Sequence, residues 1–246
     1  AASICERRFG AGADQMILVC PSETADFKME IYNPDGSQVE MCGNALRAVA
    51  VYLNEKELSA KAENQIETLG GLVVTKFLNG QITIDMGEPV LTAESIGLTV
   101  GEQYVGETYR FSEELSFEIT TVSMGNPHCV IFVEDTETFP LEEVGPIIEN
   151  HDLFKNRTNV EFIQILDRET IQMRVWERGT GETLACGSGA CASVVASILN
   201  DYADRQLKVV LRGGDLNIAW DKADNRVYMS DPAVTVYEGV WTRQEA

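Results

Sequence analysis

Two cysteines in this chain stand in matching surroundings, each followed by glycine and an apolar run. The segment Tyr32-Asn33-Pro34-Asp35-Gly36-Ser37-Gln38-Val39-Glu40-Met41-Cys42-Gly43-Asn44 recurs 144 positions on as Trp176-Glu177-Arg178-Gly179-Thr180-Gly181-Glu182-Thr183-Leu184-Ala185-Cys186-Gly187-Ser188. A thiol at a helix N-terminus meets unpaired backbone N–H groups and the positive end of the helix dipole, a setting that favours the thiolate. The N–H groups of Gly43, Asn44, Gly187 and Ser188 form two cradles suited to a carboxylate. Removing a proton from one face of a carbon and returning one to the other needs a base and an acid on opposite sides, and Cys42 and Cys186 supply a matched pair. The charge developing on the substrate carboxylate would then be met by preorganised donors rather than by a cofactor.

The elements that position these cysteines are legible around them. At the same offset Phe27-Lys28-Met29-Glu30-Ile31 lies on Ile171-Gln172-Met173-Arg174-Val175, and Gln15-Met16-Ile17-Leu18-Val19 on Asn159-Val160-Glu161-Phe162-Ile163, all strand patterns. Each cysteine turn therefore follows a pair of strands and opens a helix, about 44–54 in one copy and 188–200 in the other. Both helices are apolar on nearly every side, which predicts that each is surrounded. Near the end of each half Met86-Gly87-Glu88-Pro89 matches Met229-Ser230-Asp231-Pro232, now at an offset of 143. The pattern predicts an α+β protein of two pseudo-symmetric halves, each a curved, mostly antiparallel sheet around a central apolar helix. The halves are expected at 1–88 plus 233–246 and at 89–232. Val122-Ser123-Met124-Gly125-Asn126-Pro127-His128-Cys129 opens the second half, and the offset puts its counterpart before residue 1. The repeat thus predicts a preceding segment of roughly two dozen residues that completes the first half.

Composition narrows the function classes. The 246 residues carry 19 Lys and Arg against 39 Asp and Glu, a net charge of −20 that argues against binding nucleic acid or anionic membranes. No apolar run reaches the length of a membrane span, and six cysteines without a signal peptide read as reduced thiols of a cytoplasmic protein. No Cys-x-x-Cys occurs and only His128 and His151 are available, so no metal is expected. Phosphate-binding glycine loops are absent, and nothing suggests pyridoxal phosphate; no cofactor is expected. Cys5, Cys20, Cys129 and Cys191 read as buried apolar side chains.

At its motifs the sequence resembles the diaminopimelate epimerase family. The resemblance covers Ala13-Asp14-Gln15, Asn33 to Ser37, Met41 to Asn44, Ser123 to His128, Thr158-Asn159-Val160, Glu177-Arg178-Gly179 and Ala185 to Cys191. It implies the two-domain fold of that family and cofactor-independent interconversion of LL- and meso-diaminopimelate for lysine and peptidoglycan precursor synthesis. Carried over motif by motif, Cys42 and Cys186 are the acid and base, and Gly43, Asn44, Gly187 and Ser188 hold the reacting carboxylate. Gln15, Asn33, Asn126, Asn159 and Arg178 recognise the rest of the substrate, with the forked donors of Arg178 on the distal carboxylate. His128 and Glu177 lie beside the cysteines, where they tune the thiols or hold the reacting ammonium. Tyr237 matches a tyrosine of the family's homodimer contact. Two departures stand out. Ala45-Leu46-Arg47 follow Asn44 where the family has Gly-Ala-Arg, and the family's Gly-x-Gly-Asn-Asp-Phe element falls where the repeat predicts preceding chain, so activity is expected only of a chain that carries it. Three rival readings keep the thiols but change the chemistry: a proline or hydroxyproline racemase, which usually carries histidine where Asn44 stands; a thiol redox protein; and a passive binder of zwitterionic amino acids. A phenazine-biosynthesis isomerase would share the fold and lack the cysteine pair.

Overall fold

The computed structural model describes residues 1–40, 42–78, 81–230 and 233–242. Met41 of the first cysteine motif and Asp231-Pro232 of the repeated closing turn lie outside the described residues. The chain forms two compact units, Met86–Ser230 and Ala1–Asp85 joined by the described part of Asp231–Ala246. Among the described residues no helix is long and apolar enough to cross a membrane.

The first unit begins with a short helix α1 (Ala2–Cys5) and holds strands β1 (Met16–Cys20), β2 (Phe27–Tyr32), β3 (Gln38–Val39), β4 (Glu63–Thr68), β5 (Gly71–Leu78) and β6 (Gln81–Asp85). They line up as β1-β2-β4-β5-β6, with β3 paired on β2. Only β2 and β4 run parallel; the other pairs are antiparallel. Helix α2 (Gly43–Glu55) buries Ala45, Leu46, Val49, Ala50, Val51 and Leu53. Its enclosure is incomplete, contrary to the sequence expectation: Asn44, Ala48, Tyr52 and Glu55 are exposed. Their spacing of three or four residues puts them on one helical face.

The second unit contains α3 (Ala93–Ile96), β7 (Glu107–Arg110), β8 (Ser116–Ser123), β9 (Pro127–Phe132), α4 (Leu141–Glu149), β10 (Asn159–Asp167), β11 (Thr170–Glu177), β12 (Gly181–Thr183), α5 (Gly187–Leu199), β13 (Gln206–Val210), β14 (Leu216–Trp220) and β15 (Val227–Ser230). Its sheet runs β15-β14-β13-β11-β10-β9-β8-β7, with β12 on β11. Here α5 is enclosed, as the sequence predicts: every residue from Gly189 to Ser197 is buried. Its two hydroxyls cost little there, because Ser193 Oγ donates to the Gly189 carbonyl at 2.7 Å and Ser197 Oγ to the Ser193 carbonyl at 2.8 Å.

The internal repeat extends to strand register. Met16 faces Tyr32 and Val160 faces Trp176; Cys20 faces Lys28 and Gln164 faces Gln172, each pair displaced by 144 from its counterpart. The short third strand follows suit, Ile31 facing Val39 and Val175 facing Thr183. A one-residue slip would reverse every side chain, so conserved register means that both cysteine turns leave their sheets with the same side chains facing the same way.

Helix α4 has no counterpart among the expected elements. It buries Leu141, Val144 and Ile148 in a cluster with Ile119, Ile131, Val160 and Phe162. Its close approach to β11 depends on Gly145, where an added Cβ would lie 2.6 Å from Trp176 Cγ. The indole is not free to retreat, since its Nε1–H donates to Glu149 Oε2 at 2.7 Å. Gly145→Ala is expected to cost about 1–3 kcal/mol of stability, the usual penalty of overpacking. A urea midpoint equal to that of the unaltered protein would contradict this packing.

Candidate active site

The two cysteines occupy the same structural place. Cys42 is the N-cap of α2 with φ −146° and ψ 117°, and Cys186 the N-cap of α5 with φ −134° and ψ 113°. Each helix has 13 residues and begins at the glycine after the cysteine. An extended cap residue points its side chain along the helix start, where the first N–H groups lack intrahelical partners. Cys186 Sγ uses one of these, accepting from Gly189 N at 3.4 Å.

In the first unit the turn before Cys42 is tied by Asn33 N donating to the Ser37 carbonyl and Gly36 N to the Asn33 carbonyl, both at 2.9 Å. Gly36 has φ 87°, a left-handed conformation that glycine adopts without steric cost. Gln15 Nε2 donates to Asn33 Oδ1 at 3.2 Å, and Asn33 Nδ2 to Ser37 Oγ at 3.1 Å. Gln15 and Asn33 therefore form one polar group beside the turn. Asn44 Oδ1 accepts from Arg47 Nη2, so the Asn44 amide is occupied while its N–H stays at the helix start. Tyr237 is exposed and donates to the Ala11 carbonyl at 3.1 Å.

In the second unit the predicted residues gather around Cys186. Gly125, at φ 89°, turns the chain into β9 and presents Asn126 and His128. His128 is fully buried; its Nε2 lies 2.9 Å from Asn126 Oδ1, and Asn126 Nδ2 donates to Ser188 Oγ at 3.3 Å. Ser188 Oγ is in turn 3.6 Å from Cys186 Sγ. Asn159 is also buried, and both ends of its amide bond within the protein. Its Nδ2 donates to the Pro127 carbonyl at 2.9 Å and its Oδ1 accepts from Arg178 N at 3.0 Å. Arg178 itself is exposed, with Nη1 on the Asn156 carbonyl at 3.3 Å. Glu177 accepts a hydrogen bond from the Thr183 hydroxyl.

Two carboxylates that the sequence did not single out complete the site. Glu149 braces the Glu177-Arg178 turn, accepting from Gly179 N at 2.7 Å and Arg157 Nη1 at 3.0 Å as well as from Trp176. Glu161, wholly buried on β10, lies 2.7 Å from His128 Nδ1 through Oε1. The signal for it was present: an acid flanked by Val160 and Phe162 on a strand whose first five residues are all buried.

The electrostatics of Cys186 differ from what a helix start alone would give. Burial pushes its thiol up to about 12, and the neighbouring Glu177 and Glu161 add to the shift; the Gly189 N–H and the Ser188 hydroxyl offset only part of it. A raised acid holds its proton more tightly, so this setting favours the Cys186 thiol over the thiolate. Burial likewise raises the Glu177 carboxyl, with Glu161 adding to the shift, against the Thr183 hydrogen bond and His128, which lower it.

This arrangement can be set beside known proteins. The sequence matches the family described as diaminopimelate epimerase over residues 1–92 and 120–236. The chain belongs to the diaminopimelate epimerase family. Relatives at high similarity include the diaminopimelate epimerase of Moorella thermoacetica, 50% identical over 242 residues, spanning 96% of this chain and 86% of that protein. The one from Methanococcus maripaludis strain C5 is 46% identical over 241 residues, spanning 96% and 87%. Solved structures share the fold at low identity. A PhzF-family phenazine biosynthesis protein of Bacillus anthracis has TM-score 0.63 at 20% identity, covering 90% of this chain and 82% of that one. A hydroxyproline epimerase of Agrobacterium vitis, solved with trans-4-hydroxy-L-proline, has TM-score 0.63 at 13% identity, covering 94% and 76%. As a member of the diaminopimelate epimerase family the protein is an isomerase, an amino-acid epimerase, with the α+β fold its sequence predicts.

Proposed function

We propose that this protein interconverts LL- and meso-diaminopimelate by a two-base proton transfer between Cys42 and Cys186, without a cofactor. The observation that carries the reading is the identity of the two cysteine settings: both are helix N-caps with nearly equal backbone angles, reached from strands of equal register. One cysteine, as thiolate, takes the α-proton, and the other, as thiol, delivers its proton to the opposite face of the carbanion. The carboxylate of the reacting centre accepts from the N–H groups of Gly43, Asn44, Gly187 and Ser188, which stabilise the charge that grows on it.

Recognition of the rest of the molecule is asymmetric. Arg178 is suited to the distal carboxylate because its backbone is pinned by Asn159 while its guanidinium remains at the surface. Gln15, Asn33, Asn126 and Asn159 shape the remaining polar contacts, and His128 and Glu177 stand by the reacting ammonium. Tyr237, with its ring exposed, contributes to a homodimer contact, and the protein works in the cytoplasm on precursors of lysine and peptidoglycan. Incubation of the reduced protein, in a chain that carries the preceding segment the repeat predicts, with LL-diaminopimelate and with L-proline as control should give the meso isomer and leave proline unchanged. Inversion of proline alone would reject the substrate.

A further inference from the structure

Glu161 has no solvent exposure, yet only half of its carboxylate is satisfied. Oε1 meets His128 Nδ1 at 2.7 Å, whereas Oε2 has no hydrogen-bond partner. A carboxylate buried for stability alone would be saturated with donors, and one left half open points to a use for its charge. Its place suggests the use. A Cβ added to Gly189 would fall 2.6 Å from Glu161 Oε1 and 3.2 Å from Cys186 Sγ, so carboxylate and sulfur border the same small space.

The His128 ring is held between two partners, Glu161 at Nδ1 and Asn126 at Nε2. This fixes the ring and aims Nε2 at Asn126, which reaches Ser188 and, through its hydroxyl, the sulfur. Among the described residues the ionisable groups around Cys186 are Glu161 from β10 and Glu177 from β11. His128 from β9 lies farther along the hydrogen-bond chain, and Cys191 is on α5 itself.

We propose that Glu161 is a positioning residue for Cys186: through His128, Asn126 and Ser188 it places the hydroxyl beside the sulfur, and its carboxylate, bordering the same small space as the sulfur, disfavours the thiolate before substrate arrives. The inference rests on the reading of Cys186 as a proton-transfer group. The two effects serve different moments. The charge holds the proton before substrate arrives, and the Ser188 hydroxyl and Gly189 N–H receive the thiolate once the proton has left. The upward push that Glu161 exerts on the Cys186 thiol has the same direction.

Thiol titration tests this without turnover. In Cys42→Ala protein, alkylation of Cys186 by iodoacetamide is followed across pH by mass spectrometry of its peptide. Glu161→Gln keeps an oxygen for Nδ1 but removes the charge, and it should raise the thiolate fraction at a given pH by about threefold or more, moving the midpoint down. Glu161→Asp keeps the charge and should return the midpoint toward the parent. Loosened packing would speed alkylation at every pH and leave the midpoint in place. An unmoved midpoint in Glu161→Gln, or equal shifts in the Gln and Asp variants, would overturn the proposal. With Cys42 intact, Glu161→Gln should lower kcat about tenfold or more with KM within about twofold, the pattern of an interaction realised in the transition state; unchanged kcat would also overturn it. Failure of the unaltered protein to invert diaminopimelate, with the midpoint still moving, would count against the substrate and not against Glu161.

Discussion

Cys42→Ala and Cys186→Ala are each expected to lower kcat for inversion by about a thousandfold or more, within the range lost when a positioned acid or base is removed. The two losses should be similar although the cysteines differ in burial, Cys186 being buried and Cys42 half-buried. The reason is the reaction: inversion needs both a base and an acid, and loss of either interrupts it. Neither substitution should unfold the protein. Both residues are N-caps whose backbone conformation any residue adopts, and Cys42 makes no side-chain cap hydrogen bond. Circular dichroism with steady-state kinetics checks both halves of the expectation. Full turnover in either variant would remove that cysteine from the chemistry.

Gly189→Ala is expected to be nearly as damaging, although position 189 contributes no reacting atom. The helix there has ordinary backbone angles, so alanine should favour α5 by propensity. Space decides otherwise. The new methyl would sit 2.6 Å from Glu161 Oε1 and 3.2 Å from Cys186 Sγ. Glu161 is buried and bound to His128, so its carboxyl group cannot swing into solvent, and the sulfur is displaced from its cap instead. A loss of about a hundredfold in kcat is expected, in line with misplacing a reacting group by about an ångström. The overpacking should also cost about 1–3 kcal/mol of stability. Thermal melts and kinetics read the two effects separately. A variant with native melting and native kcat would show that the pocket under Cys186 is looser than the geometry indicates.

The cysteine turns were legible because their signals are local and doubled. A strand alternation, a glycine-bearing turn, a cysteine and an apolar run appear twice in the same order, and the strands then pair in the same register. What escaped depends on contacts between distant segments. Helix α4 carries Gly145-Pro146, two poor helix formers, and it forms because Leu141, Val144 and Ile148 find a core against β8, β9 and β10. Glu161 is taken out of water because the first five residues of β10 are all buried, which only the neighbouring strands decide. The thiol of Cys186 was expected to be lowered by its helix start. Burial and two carboxylates reverse the sign, and neither can be weighed until the strands that carry Glu161 and Glu177 are in place.

Two different groups should handle the proton, one removing it and another delivering it. Brief incubation of LL-diaminopimelate in D2O, stopped after a small fraction has inverted, tests it most directly. The meso product should carry deuterium at the inverted α-carbon while the recovered LL substrate keeps its original proton, because the delivering thiol has already exchanged with solvent. Product that retains the substrate proton, or LL substrate that gains deuterium as fast as product forms, would mean that one group serves both faces, and would contradict it.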